Sequence, residues 1–91
     1  MTKEIYNTIS KLFSDTYQQL YNSTPATDII ISYFAMYHDN DMKKDQEYKK
    51  AATDFAKFRN DILTSDRECA AFYIAVSAYE RQEQFKKLAT A

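Results

Sequence analysis

The 91-residue chain contains no glycine and only one proline. Glycine reaches positive φ angles without a steric cost, and both the tight turns of β-hairpins and the glycine-rich loops of nucleotide sites depend on that freedom. A chain without glycine is therefore poorly suited to hairpin-rich sheets and to glycine-rich phosphate loops. Helices joined by polar loops are the architecture that this sequence favours.

Apolar residues recur at steps of three and four in four separate stretches, which is the spacing of one face of an α-helix. These stretches cover residues 3–22, 25–38, 42–63 and 66–88. Short polar segments separate them, so neighbouring helices should run antiparallel. The sequence predicts an all-α fold over residues 1–91, a single domain built as an irregular antiparallel four-helix bundle.

Local capping signals place the starts of the second and third helices. Thr24 can serve as the N-cap of the second helix with Pro25 at its first position, where a missing N–H costs nothing. The segment His38–Asp41 is predicted to be a loop, because Asn40 or Asp41 can cap the third helix.

The last helix has the clearest start signal in the chain. Ser65 and Glu68 have the spacing of a capping box, in which the serine hydroxyl accepts from the Glu68 amide while the Glu68 carboxylate reaches back to the Ser65 amide. We therefore expect this helix to begin at Asp66.

Nearly every residue from Ile29 to Tyr37 is apolar. We interpret this stretch as the most buried helix of the bundle. It is about half as long as a membrane-spanning helix requires, and the N-terminal residues have no continuous apolar core of a signal peptide. A membrane role is not expected, and a chain with one cysteine fits a reducing compartment such as the cytoplasm.

Cys69 is the only cysteine and His38 the only histidine. Metal sites and nucleophilic catalysis each need several such groups close together. Cys69 lies on an apolar stripe with Phe72, Tyr73 and Val76, so we interpret it as a buried structural cysteine. The alternative is a reactive thiol activated by the dipole of the last helix. We expect no enzyme activity, no metal and no cofactor.

A nucleic-acid-binding regulator is the alternative function. The predicted third helix is rich in lysine: Lys43, Lys44, Lys49, Lys50 and Lys57. Asp45, Glu47 and Asp54 are interleaved with them, which cancels most of the local potential over a Debye length of about 8 Å. With a net charge of −1 for the whole chain, we do not expect nucleic acid to be the main partner.

Surplus apolar surface is the feature that most favours a function. The first helix carries three tyrosines on one flank of its apolar stripe, and the last helix has a seam of small residues that lets another helix approach closely. These surfaces either meet inside the core or bind a partner protein or a second copy of the chain. The candidate partner-binding residues are Tyr6, Tyr17, Tyr21, Ala70, Ile74 and Ala78.

The leading hypothesis is a small non-enzymatic regulator or inhibitor that binds a larger protein stoichiometrically. Phage-encoded inhibitors of host defence and immunity proteins of bacteriocin systems are examples of this class, and the analogy is one of class only. Abundant lysine, isoleucine, tyrosine and phenylalanine are typical of AT-rich coding, which suggests a low-GC bacterium or its phage.

Overall fold

The computed structural model of this chain describes residues 2–22 and 24–90, with the backbone alone at residues 85, 89 and 90. These ranges contain four helices and no strand. The helices are α1 (Lys3–Tyr21), α2 (Thr27–Lys44), α3 (Gln46–Arg59) and α4 (Asp66–Thr90). The predicted all-α four-helix bundle is confirmed.

Helix α4 lies at the centre of the bundle. It packs along both α1 and α2, and its 25 residues rise by about 37 Å, close to the longest dimension of 43 Å. Ala70, Ala71 and Ala75 have no exposed surface, because their small side chains let neighbouring backbones approach closely. The prediction that the second helix is the most buried is wrong, since the first half of α4 has that position.

Helix α3 packs on the same core through larger side chains. The ring of Phe55 lies 4.9 Å from that of Phe72, and 5.4 Å and 5.3 Å from those of Tyr6 and Phe13 on α1. Tilted rings at these separations add favourable quadrupole contacts to the burial of apolar area. The buried residues of this cluster are Ile9, Tyr48, Ala52, Phe55, Phe72, Ala75 and Val76.

The boundary between α2 and α3 lies further along the chain than predicted. Asn40 and Asp41 are inside α2, so the predicted loop at His38–Asp41 is wrong. The cap of α3 is Asp45, whose carboxylate accepts from the amides of Glu47 and Tyr48 at 3.0 Å and 3.3 Å. A carboxylate in this position satisfies amides that have no partner within the helix.

The reason for this longer helix is a buried stripe that continues past the polar residues. Ile31, Ala35 and His38 are buried on one side of α2, and Met42 follows four residues after His38 against the core. Packing along this stripe keeps the segment helical although its exposed residues are polar. Helical periodicity therefore outweighed the local turn signal.

Helix α2 begins at Thr27 rather than at Pro25. The amides of Thr27 and Asp28 donate to the carbonyls of Thr24 and Pro25 at 2.9 Å and 3.1 Å, in a turn that precedes the helix. Ala26 occupies the cap position and makes no side-chain cap hydrogen bond. The predicted capping role of Thr24 is therefore wrong, and the boundary shifts by two residues.

Helix α3 ends at Arg59, four residues earlier than predicted, because Asn60 has left-handed backbone angles of φ 57° and ψ 32°. The next amide, of Asp61, donates to the Ala56 carbonyl at 3.1 Å. Asparagine enters the left-handed region more readily than most residues. In a chain without glycine, it provides the helix stop that glycine usually provides.

The start of α4 is tied to the other three helices. The Glu68 amide donates to the Ser65 hydroxyl at 3.1 Å, as the capping box predicts. The second half of the predicted capping box is wrong, because the Glu68 carboxylate accepts from the Ser65 hydroxyl instead of the Ser65 amide, at 3.4 Å. The same carboxylate pairs with Arg59 at the end of α3, also at 3.4 Å. Arg67 donates to the Leu20 carbonyl on α1 and pairs with Asp28 on α2 at 3.0 Å. These contacts orient the four helix ends at this end of the bundle.

Candidate protein interface on α2

Helix α2 is apolar on two opposite sides. One side packs against the bundle, and the other carries five large apolar side chains that stay exposed to solvent. We call this set the outer face of α2. Its members and their exposed fractions are Ile29 (78%), Ile30 (52%), Tyr33 (52%), Met36 (53%) and Tyr37 (39%). The continuous apolar stretch Ile29–Tyr37 therefore contributes side chains both to the core and to the exposed surface.

Aromatic contacts hold part of the outer face in place. The hydroxyl groups of Tyr33 and Tyr37 are 2.8 Å apart, and their rings meet edge to face at 4.8 Å. The hydrogen bond with Tyr33 is the main cause that raises the pKa of Tyr37. The Tyr37 ring also lies 6.0 Å from that of Tyr73 on α4. Contacts within the chain therefore fix the arrangement of Tyr33 and Tyr37.

The outer face is comparable in size to the largest apolar patch of a typical monomer. A free side chain of this size offers on the order of 200 Å², so five that are about half exposed leave roughly 500 Å² in one patch. The largest apolar patch of a typical monomer covers roughly 300–600 Å² and is often functional. No charged residue occurs from Ile29 to Tyr37, so desolvating the patch removes no charge from water.

The tyrosines that the sequence singled out on α1 divide between core and surface. Tyr6 is half-buried and stacks on Phe58 with ring centroids 4.8 Å apart. Tyr17 is half-buried, and Tyr21 is exposed with its ring 6.4 Å from that of Tyr17. With Ser14 and Gln18, these two border a shallow depression of about 360 Å³. Tyr17 and Tyr21 thus form a second, smaller apolar surface.

The small-residue seam of α4 lies mostly within the bundle. Ala70 has no exposed surface, while Ile74 and Ala78 are half-buried. Close approach of helices does occur here, between α4 and its own neighbours α1 and α2. Ile74 and Ala78 keep some solvent contact, so the part of the seam open to a partner is narrow.

A groove between α2 and α3 has a volume of about 880 Å³. Its walls are mainly apolar and come from both helices and from the segment after α3. They are formed by His38, Met42, Ala52, Thr53, Ala56, Lys57, Asn60, Asp61, Ile62 and Leu63. Volumes of this order are typical of ligand pockets, although this one is open to solvent.

His38 is buried at the base of this groove. Its Nδ1 atom lies 2.8 Å from the Tyr48 hydroxyl oxygen, and its ring meets Phe72 edge to face at 5.8 Å. Burial lowers the pKa of His38, against the opposing effect of Asp39 and Asp41. Burial also raises the pKa of Tyr48. Both groups are therefore neutral at pH 7, which suits a structural hydrogen bond.

We expect stability to fall as the pH drops below about 6.5, because unfolded histidine takes up a proton there that buried His38 resists. One such group changes the free energy of unfolding by at most about 1.4 kcal/mol per pH unit. Urea denaturation at several pH values between neutral and mildly acidic measures this slope. The His38→Asn variant, which keeps a polar atom near Nδ1, should flatten it. Equal slopes for wild type and variant would contradict the assignment.

The Cys69 thiol is partly buried in the first turn of α4. Burial, followed by the charges of Asp39, Asp66 and Glu68, raises the pKa of Cys69 to about 11. A thiol with this pKa stays protonated at neutral pH, and the thiolate is the nucleophile. This environment supports the structural interpretation of Cys69.

The lysines of the nucleic-acid hypothesis lie on two helices rather than one. Lys43 and Lys44 end α2, while Lys49, Lys50 and Lys57 are exposed on α3. Asp45, which caps α3, stands between the two groups. Because a helix break separates the two groups of lysines, their positions do not support a continuous basic surface.

The outer face of α2 is suited to binding rather than to catalysis, because tyrosine supplies its only ionisable groups. Over the ranges that the structure describes, no three His, Cys, Asp or Glu side chains are close enough to hold a metal. Nor does any described helix combine the length and apolar character of a membrane span. Comparison with protein-family models, curated proteins and solved structures found no match.

Proposed function

We propose that this chain is a non-enzymatic interaction protein that regulates or inhibits a larger protein by covering part of its surface, one copy per target. The outer face of α2 is the contact surface. The observation that supports this most is the exposure of five large apolar side chains on one side of a folded helix. Leaving them in water has a free-energy cost that a binding partner removes.

The spacing of the outer face fits recognition of a helix by an apolar groove. Ile29, Tyr33 and Met36 follow steps of four and three, which is the pattern of anchor residues in such complexes. Tyr33 and Tyr37 combine large rings with polar tips, a combination enriched where an interface core meets its rim. Their mutual hydrogen bond reduces the entropy lost on binding.

The outer face is nearly large enough to form one side of a standard protein interface. About 500 Å² of apolar-rich surface, with polar side chains around it, approaches the roughly 800 Å² that one partner contributes to a standard interface. Occupying the target's surface then requires no chemistry by this chain. The proposal includes a cytoplasmic location in a bacterium or a phage-infected host, supported by the single cysteine and the composition.

Affinity capture from extracts of the source cells tests this proposal through matched variants. Wild-type protein should retain a target at a constant molar ratio, and Tyr33→Glu should weaken that retention more than tenfold, because a central interface residue contributes about 2 kcal/mol or more. Ile62→Glu is the control, since Ile62 is 66% exposed and lies outside the outer face. Circular dichroism should show unchanged helicity in both variants.

Two further variants compare the surfaces predicted from the sequence. Tyr17→Glu changes the tyrosine flank of α1, and Ile74→Glu changes the exposed part of the α4 seam. If either abolishes capture while Tyr33→Glu leaves it intact, the outer face of α2 is not the contact surface. Capture of the same proteins in equal amounts by all variants would contradict the proposal as a whole.

A further inference from the structure

We infer that the outer face of α2 is covered, in the free protein, by the outer face of a second copy, with the two α2 helices antiparallel about a two-fold axis at Tyr33. This inference rests on the proposed function only in taking the outer face as a docking surface. It identifies a second copy of this chain as the molecule that covers the outer face when no target is bound.

The residues of the outer face are placed symmetrically along α2. Ile29 lies four positions before Tyr33 and Tyr37 four positions after it. Ile30 and Met36 stand three positions before and after it. In a two-fold interface, a residue that contacts a second position is contacted by that position in return. An antiparallel pair centred on Tyr33 therefore places every apolar side chain of one copy opposite an apolar side chain of the other.

The register also pairs side chains that fit together. Ile29 lies opposite Tyr37 of the second copy, and Ile30 lies opposite Met36 of the second copy. The two Tyr33 rings meet at the axis, where an offset or edge-to-face aromatic pair adds about 0.5–1.5 kcal/mol beyond its buried area.

The buried area is sufficient for a weak dimer. Two outer faces of roughly 500 Å² each bury roughly 1,000 Å² together, and specific interfaces begin at about that size. Exposed Asn40, one turn beyond Met36, adds polar area at the rim. An interface at this lower limit should dissociate within an accessible concentration range.

Electrostatics do not oppose the pairing. The paired stretch, Ile29–Tyr37, has no charged side chain. Asp28, just before it, is already paired with Arg67 at 3.0 Å. Like charges brought together would disfavour an interface, and the register brings none together within the apolar contact.

Self-pairing and target binding exclude each other, because both use the same side chains. A target must therefore compete with the second copy, and its apparent affinity falls by the fraction of chains that are free. As the total concentration of the protein rises, the concentration of free monomer then rises more slowly, because an increasing share of the chains is paired. The dimer acts as a reservoir that keeps the apolar surface out of water until the target is present.

Sedimentation equilibrium of the purified protein tests this inference without any target. Over a range from about 1 μM to about 1 mM, which brackets weak to moderate affinities, the average mass should rise from 10.7 kDa toward twice that value. Tyr33→Glu, which places two carboxylates together at the axis, should raise the dissociation constant at least tenfold. Ile62→Glu should dimerise like wild type.

A cysteine at the axis provides an independent readout of the register. In a Cys69→Ser background, Tyr33→Cys should form a disulfide-linked dimer on mild oxidation, since a two-fold axis brings a residue next to its own equivalent. Ile62→Cys in the same background is the matched control and should remain a monomer. Cross-linking at both positions alike would indicate random collision and overturn the assignment.

The outcomes separate this inference from the proposed function. A protein that stays monomeric throughout the concentration range overturns self-pairing, while target capture that depends on Tyr33 would still stand. Dimerisation that survives Tyr33→Glu overturns the assignment of the outer face. If Tyr17→Glu abolishes the dimer instead, the tyrosine flank of α1 forms the contact.

Discussion

Replacing Phe72 with alanine is expected to lower the free energy of unfolding by about 3–5 kcal/mol. Phe72 has no exposed surface, and its ring lies 4.9 Å from that of Phe55 and 5.7 Å from that of Tyr48. The substitution removes apolar contacts with α2 and α3 and leaves a cavity that three packed helices cannot close. Total stabilities are commonly about 5–15 kcal/mol, so the variant should be close to unfolding at room temperature.

Urea denaturation followed by circular dichroism measures this loss for Phe72→Ala. Tyr21→Ala is the control, because it also removes an aromatic ring but from a side chain that is 67% exposed. Its effect should stay within about 0.5 kcal/mol. A loss below about 1 kcal/mol for Phe72→Ala would mean that Phe72 is not at the centre of the core.

Replacing Ala75 with leucine should have the next largest effect. Ala75 is fully buried in the central helix α4, where a larger side chain has no space unless neighbouring helices move apart. Overpacking of this kind typically costs about 1–3 kcal/mol and occasionally more. In a domain of this size, each kcal/mol lowers the melting temperature by about 4–8 °C.

Thermal unfolding of Ala75→Leu tests whether α4 is enclosed on its alanine side. Gln82→Leu adds the same side chain at an exposed position of the same helix, so it controls for helix propensity and should leave the melting temperature within a few degrees of wild type. Equal melting temperatures for the two variants would contradict the close packing of α4 described above.

The number and type of helices were predictable because periodicity reports which side of a helix is apolar. The capping hydrogen bond from the Glu68 amide to Ser65 was predictable as well, since it depends on residues three apart. The end of α2 was not predictable from local signals. A run of polar residues at Asp39–Asp41 resembles a loop, whereas His38 and Met42 continue the buried stripe and keep the segment helical.

Burial was harder to predict than helicity, because apolar content does not reveal how many neighbours a helix has. Residues Ile29–Tyr37 looked like a buried helix, yet six of these nine residues are exposed. The signal that identifies the central helix is side-chain size. Four alanines between Ala70 and Ala78 suit a helix enclosed by others, while the bulky residues of α2 do not.

The sequence predicted surplus apolar surface but did not indicate that five large apolar side chains of α2 would be exposed. Apolar surplus suggested an interaction surface, and tyrosines drew attention to α1. Tyr6 turned out to stack on Phe58 beside the core, and Ala70 has no exposed surface. Cores and interfaces both need large apolar residues, so composition alone cannot distinguish them. The distinction comes from tertiary packing, which decides the side of α2 that meets α4.

The central position of α4 has a consequence for biosynthesis. The ribosome makes α1, α2 and α3 before α4, so the first three helices emerge while the helix that α1 and α2 pack against is still missing. Elongation at about 5–20 residues per second makes this delay a few seconds long. During that time, the sides of α1 and α2 that pack against α4 have no partner, and the core can form completely only after α4 leaves the exit tunnel.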